Sequence, residues 1–224
     1  APGESFVNSK QRRIPVSLDA PIFTLTHAMG FKGVLGGEYS FNRTEASVWK
    51  RFWLPSSWGK IDCSIKAGAE WNTVPFPLLI LPEANLSYIT QRETFNLINN
   101  MEFLNDRFAS VSLSYDMNGK LFNRIPLIKN LKWREMFRVR ALWGTLTDKN
   151  NPFKSSNPDL FRFPMRDGKF TSFVMDPKIP YVEASVGIYN IFKLLHIEYV
   201  HRFTYRDNPG INKNGVRFMV LMAF

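Results

Sequence analysis

Apolar and polar residues alternate with a period of two along most of this chain, and helical periodicity is almost absent. In KIDCSIKAGAEW, Ile61, Cys63, Ile65, Ala67, Ala69 and Trp71 share one face, while Lys60, Asp62, Ser64, Lys66 and Glu70 share the other. FASVSLSYDM sets Ala109, Val111, Leu113, Tyr115 and Met117 against Ser110, Ser112, Ser114 and Asp116. REMFRVRALWGT sets Phe137, Val139, Ala141 and Trp143 against Arg134, Arg138 and Arg140. YVEASVGIY alternates through Val182, Ala184, Val186 and Ile188. In LHIEYVHRFTYR, Leu195, Ile197, Tyr199, Phe203 and Tyr205 oppose His196, Glu198, Arg202, Thr204 and Arg206. The terminal VRFMVLMAF places Val216, Phe218, Val220, Met222 and Phe224 at every second position. Weaker strand patterns lie at 22–29 and 38–54. About eight strands that neighbour one another in sequence predict an antiparallel meander of hairpins.

The connections are uneven. PSSWG (55–59) and the span 189–193 are tight, and 123–133 is intermediate, whereas 74–99 and 147–180 are long excursions. Counted back from the C-terminus, the long segments and DNPGINKNG fall at one end of the sheet and the short turns at the other, the asymmetry of outer-membrane barrels. Trp53, Trp58, Trp71, Trp133, Trp143, Tyr205 and Phe224 gather near strand ends, as an interfacial girdle requires. Alternation by itself leaves two arrangements open. A soluble barrel or sandwich turns the apolar face inward, and a membrane barrel turns it to lipid. Loop asymmetry and the aromatic ends favour the second. The expected fold is therefore all-β, an antiparallel meander transmembrane β-barrel in a bacterial outer membrane. Residues 1–20 read as a leading segment and 21–224 as barrel strands with their loops.

Composition adjusts this picture in a few places. No apolar run approaches the roughly 18–20 residues of a membrane-crossing helix, so a helical membrane protein is excluded. The formal charge of +10 calls for anionic company: nucleic acid, acidic lipid or glycolipid phosphate. The basic residues are scattered, with no arm or recognisable motif, so a nucleic-acid partner is not expected. Lys149, Lys154, Arg162, Arg166 and Lys169 in the 147–180 loop are candidates for meeting glycolipid phosphate. The one cysteine, Cys63, excludes an internal disulfide framework and a Cys-rich zinc site. His27, His196 and His201 form no metal spacing, and His196 and His201 point to opposite faces of one strand. Nucleophile-elbow, P-loop and dinucleotide motifs are missing. No catalytic role and no cofactor are expected. The start, APGESFVNSKQRR, has no apolar signal core, so a signal has been removed or the chain is part of something longer.

The run Lys213-Asn214-Gly215-Val216-Arg217-Phe218-Met219-Val220 resembles the C-terminal β-signal of outer-membrane proteins. That resemblance implies a seam strand marked by Lys213, Gly215, Phe218, Val220 and Phe224, read by the barrel assembly machinery. Longer words, AEWNTVPFPLLILPEANLSY, TFNLINNMEFLNDRFASVSLSYDMNGKLFNRIPLIKNLKWRE, RALWGTLTDKN and PYVEASVGIYNIFKLLHIEYVHRFTY, resemble the C-terminal half of an uncharacterised outer-membrane family of Gram-negative bacteria. Its members often carry a carboxypeptidase-regulatory-like domain upstream, and the resemblance runs from about residue 38 to Phe224. The family is in turn distantly similar to the BamA/TamA-type assembly and translocation barrels. Their 16-stranded architecture implies that this chain supplies the last eight strands, that 74–99 is the loop entering the lumen, and that 216–224 is the seam strand.

The chain departs from that pattern. It offers Gln91-Arg92-Glu93-Thr94-Phe95 where those barrels carry a Val-Arg-Gly-Phe tip, and Leu142-Trp143-Gly144 lacks their acidic partner. Arg92, Glu93 and Phe95 are the candidate lumen-loop residues. Arg134, Arg138 and Arg140 are the candidate lumen-facing residues, lining a pore, holding the loop, or simply pairing with carboxylates in a polar lumen. A closed eight-stranded barrel is filled by its own side chains and leaves no room for 74–99, so the chain is expected to be half of a larger barrel, joined by a missing N-terminal part. The expected function is protein insertion or translocation at the outer membrane. The alternatives are a passive pore, a membrane anchor for a periplasmic domain, and a soluble lipid-binding barrel.

Overall fold

A computed structural model describes residues 2–17, 19–91, 93–155, 157 and 160–220. In the leading segment, β1 (Phe6–Asn8) and β2 (Arg13–Pro15) form a small ribbon. The main sheet is built from β3 (Ile22–Gly30), β4 (Phe41–Trp53), β5 (Lys60–Glu70), β6 (Arg107–Asp116), β7 (Arg134–Thr145), β10 (Tyr181–Ile191), β11 (Leu195–Arg202) and β12 (Asn214–Val220). A second ribbon, β8 (Met165–Arg166) with β9 (Lys169–Phe170), sits inside the connection from β7 to β10.

The eight strands pair in chain order, β3-β4-β5-β6-β7-β10-β11-β12, and every neighbouring pair is antiparallel. The predicted meander is the observed topology. The eight strands do not close on themselves: among the described residues, β3 and β12 are the two edges of an open sheet and do not pair with each other. Openness removes the conflict over loop 74–99, because a trough, unlike a sealed eight-stranded cylinder, has space for a folded loop.

Turns are compact at one end of the sheet (54–59, 117–133, 192–194) and long at the other (31–40, 71–106, 146–180, 203–213). At the tight 54–59 turn, Gly59 has φ +89, and a Cβ there would stand 1.8 Å from the Asp116 carbonyl oxygen, so only glycine fits. The 117–133 connection contains a short helix, α1 (Pro126–Leu131), which the alternating pattern gave no reason to expect. Pro126 at its first turn and left-handed Lys132 after its end set its limits. The terminal strand is described from Asn214 to Val220. Phe224 lies outside the described residues.

Burial shows which face of the sheet is covered. Along β7, Arg138, Arg140 and Leu142 are buried, while Phe137, Val139 and Trp143 are exposed. Along β11, His196, Glu198, Val200 and Arg202 are buried, while Ile197 and Tyr199 are exposed. Val186 on β10 and Val216, Phe218 and Val220 on β12 extend the exposed apolar side, and Leu25 on β3 is 76% exposed. The charged face is thus the inner one. Phe203, exposed like Ile197 and Tyr199, keeps the expected alternation, but Tyr205 departs from it, since β11 ends at Arg202. Tyr205 turns inward, its ring 5.1 Å from Phe103. Its hydroxyl donates to the Ile179 carbonyl at 2.7 Å, and burial pushes its pKa upward.

The hydrophobic core lies between the inner face and the long connections. One cluster joins Phe95, Ile98 and Phe103 to Leu142, Met175 and Tyr181. Another joins Val74, Leu79 and Leu104 to Leu146 and Phe163. Gly144 permits this docking: a Cβ at that position would stand 2.3 Å from Asn105 Oδ1.

Candidate functional site

The connection 71–106 folds back into the trough. Ile80 and Asn105 exchange backbone hydrogen bonds at 2.8 and 3.2 Å. Asn85 N–H donates to the Phe95 carbonyl, and Phe95 N–H donates to the Glu83 carbonyl, both at 2.7 Å. The loop is therefore a small folded unit.

Charged side chains from four consecutive strands hold its backbone. Arg140 on β7 donates to the Gln91 carbonyl at 3.1 Å. Glu183 on β10 accepts from the N–H groups of Asn96 at 2.9 Å and Leu97 at 3.1 Å. Arg202 on β11 donates to the Leu97 carbonyl at 3.2 Å, and Arg217 on β12 donates to the Asn96 carbonyl. These groups also pair among themselves: Arg140 meets Glu183 at 3.0 Å, and Arg202 grips Glu102 of the loop through contacts of 2.6 and 3.0 Å. Arg202 is 0% exposed. Burying ions this deeply is tolerable only when their donors and acceptors are matched, as they are for Arg202 and Glu102.

Nearer the short turns, the trough widens into a cavity of about 450 Å³. Ion pairs and hydroxyls line it. Arg51 holds Asp62 at 2.6 Å, Lys66 bridges Glu83 at 3.1 Å and Glu93 at 2.9 Å, and Arg138 holds Glu198 at 2.9 Å. Ser185 donates to Glu198, whose other oxygen lies 3.4 Å from His196 Nε2. Tyr189 donates to Asp116, and Ser64, Ser110, Ser112 and Ser114 supply further hydroxyls. These groups share the cavity wall with Trp49, Ile80, Leu81, Phe95, Phe108 and Met136, so its lining is mixed. Among the described residues, no three His, Cys, Asp or Glu side chains are arranged to hold a metal ion.

The residues named from sequence scatter across this arrangement. Arg138 and Arg140 face inward and are buried, Arg138 in an ion pair and Arg140 on both the loop and Glu183. Arg134 stays exposed at the rim, its guanidinium 5.9 Å from the Tyr189 ring centroid. Glu93 meets Lys66 and not the arginines, Phe95 enters the core, and Arg92 lies outside the described residues. In the terminal strand, Lys213 accepts the Arg202 N–H through its carbonyl at 2.9 Å. Gly215 is packed by Leu97, which a Cβ would meet at 2.9 Å. Val220 pairs with Leu195 on β11.

Phe218 has a further contact. Its N–H donates to the Tyr88 carbonyl and its carbonyl accepts from Thr90 N–H, both at 2.9 Å, so the loop covers part of the free β12 edge. Of the loop basics proposed for glycolipid, Lys149 donates to the Trp71 carbonyl at 2.6 Å and Lys154 pairs with Asp148. Arg162, Arg166 and Lys169 remain exposed. Glu102 and Glu183 were not named from sequence, Arg217 only within the terminal run, and Glu198 and Arg202 only as members of a polar strand face. The readable signal was register: once strands are paired in order, Arg140 falls directly opposite Glu183.

Comparison with curated proteins gives no match. A family model for the C-terminal domain of DUF5686, a family of unknown function, matches residues 1–153. The match takes in the leading ribbon and β3 to β7, starting earlier than the resemblance drawn from sequence and ending before β10. Covering more than half of the chain, it places the protein in the uncharacterised DUF5686 family.

Proposed function

We propose that this chain forms part of the wall of a transmembrane β-barrel in a bacterial outer membrane and acts there in protein insertion or translocation. The observation that carries the membrane part is the inverted burial. Val139, Val186, Ile197 and Phe218 face outward and exposed, while Arg138, Arg140, Glu183, Glu198 and Arg202 are buried inside. A water-soluble sheet would gain by the opposite arrangement, since apolar area left in water costs about 25 cal/mol per Å². In hydrocarbon that cost vanishes, and the paired inner charges face a wet lumen. A soluble lipid-binding barrel, which needs an apolar interior, fits this distribution poorly.

Single cysteines in a Cys63→Ser background test it. Fluorophores at outward Val111, Val139 and Val186 are expected to be quenched by lipid-borne nitroxide, and those at inward Ser110 and Ser112 by aqueous iodide. Outward probes quenched by iodide and untouched by lipid would overturn the membrane reading.

The insertion activity draws support from the resemblance to assembly barrels and from the β12 edge, where, among the described residues, the loop supplies backbone hydrogen bonds at Phe218 alone. Reconstituted protein is expected to speed the folding of a small outer-membrane barrel into vesicles. Absence of acceleration favours the second reading, a static anchor, which the firmly held 91–102 loop also suits. The same loop argues against a passive pore, because it occupies the trough beside the inner faces of β7, β10, β11 and β12.

A further inference from the structure

Charge is distributed unequally between the two ends of the sheet. The compact connections 54–59, 117–133 and 192–194 contain five basic residues, Lys120, Arg124, Lys129, Lys132 and Lys193, and no acidic residue. The long connections at the opposite end carry as many acidic as basic residues, ten of each. Among the described residues none of the five is in an ion pair. Arg124, Lys129, Lys132 and Lys193 are exposed.

The same rim is apolar where it meets the outer face of the sheet. Leu127 is 84% exposed and Phe192 80%. Leu121, Ile125, Leu131 and Leu194 are also exposed. Trp58 stands between the two characters, with Lys120 Nζ 5.2 Å and the Arg124 guanidinium 6.0 Å from its ring. The connections form one continuous surface: Lys120 donates to the Ser56 carbonyl at 2.8 Å, and Asn190 to the Lys132 carbonyl at 2.7 Å.

We propose that the short-turn rim is a docking surface for the phosphate groups of anionic phospholipids; this rests on the membrane reading above. Leu127, Phe192 and their neighbours reach the acyl boundary, and the unpaired cations stand at headgroup depth, where basic side chains without carboxylate partners have phosphate as their counter-ion. The balanced charges of the long-loop rim give no such attraction, so the two faces of the membrane are distinguished by lipid charge. This places the main phosphate-binding surface at the end of the sheet opposite the basic 147–180 loop.

The test is lipid selectivity of the reconstituted chain, read by electron spin resonance as the preference of motionally restricted spin-labelled phosphatidylglycerol over phosphatidylcholine. A single surface cation is worth about fivefold in lipid attraction, so a preference of at least that size is expected for the native chain. It should collapse toward unity in the variant carrying K120Q, R124Q, K129Q, K132Q and K193Q. It should persist when Lys154, Arg162, Arg166, Lys169 and Lys178 are changed to Gln at the other rim. Full selectivity in the short-turn variant, or its loss only in the long-loop variant, overturns the proposal while leaving the membrane reading intact. Absence of any restricted lipid of either kind refutes the membrane reading and the docking surface with it.

Discussion

The strongest single attachment of the 71–106 loop is the Arg202–Glu102 pair, and its removal has a calculable cost. All five guanidinium donors of Arg202 are used: Nε to the Thr204 carbonyl at 3.0 Å, Nη1 to Leu97 O and Glu102 Oε2, and Nη2 to Glu102 Oε1 and Tyr205 O. Glu102 is equally saturated, since it also accepts from Asn99 N–H at 3.0 Å and Asn208 Nδ2 at 2.9 Å. Glu102→Gln keeps the shape but turns an amide donor toward the guanidinium or the other donors and leaves a buried cation uncompensated. The expected loss is about 3–5 kcal/mol. Arg202→Met strands the carboxylate and three carbonyl groups, with a similar loss. Because the double variant removes both charges, its destabilisation should fall short of the sum of the singles by about 1–3 kcal/mol. Urea titration of the detergent-folded chain, followed by tryptophan fluorescence with an unchanged slope, measures all three. Single variants within about 1 kcal/mol of the native chain, or strictly additive losses, would show that this pair does not fasten the loop.

Other perturbations report on other parts of the structure. Gly144→Ala forces a Cβ to within 2.3 Å of Asn105 Oδ1, so about 1–3 kcal/mol should be lost and limited proteolysis within 71–106 should accelerate; an unchanged cleavage rate refutes the docking role. Leu113→Arg on the outward face of β6 should cost about 2–4 kcal/mol in a bilayer, against at most about 0.5 kcal/mol on a water-facing surface, as measured by unfolding from vesicles. Asn85→Ala removes the bonds to Ile89 O at 2.8 Å and Ser87 N at 3.0 Å that shape the segment covering the β12 edge. Amide exchange at Phe218 should then quicken on the order of tenfold, and unchanged exchange would mean that the edge is held by other contacts.

How far the fold was legible follows from the range of each interaction. Strand alternation is local, so KIDCSIKAGAEW and REMFRVRALWGT revealed their two faces without any knowledge of neighbours, and sequential order then implied the meander. The pattern failed at Tyr205, where the strand has ended but alternation continues. Tyr205 is drawn inward by Phe103, a residue on another connection. Helix α1 was missed because six residues, PLIKNL, are too few for a helical period to declare itself. Which face is inner was not legible from alternation, which is identical whether the sheet encloses water or faces it; only the uneven loops and the aromatic strand ends pointed to a charged inner face.

The gripping charges divide along the same line. Arg51 with Asp62 and Arg140 with Glu183 are directly opposed across neighbouring strands, so register alone brings them together. Arg202 with Glu102, and Lys66 with Glu83 and Glu93, join a strand to a loop whose path is set only after folding. Much of the grip also ends on backbone atoms: the carbonyls of Gln91, Asn96 and Leu97 and the N–H groups of Asn96 and Leu97. Backbone groups carry no residue identity, so the loop sequence contains no mark of the contact. The strand charges are the legible half, and they make sense only with the loop in place. Remove the loop, and Glu183 and Arg202 lose partners that the sheet does not supply; leave it, and four strands are tied to one short segment. The loop is therefore a structural member of the sheet's inner face as well as its occupant. Any opening of the trough must break charged contacts on β7, β10, β11 and β12 together.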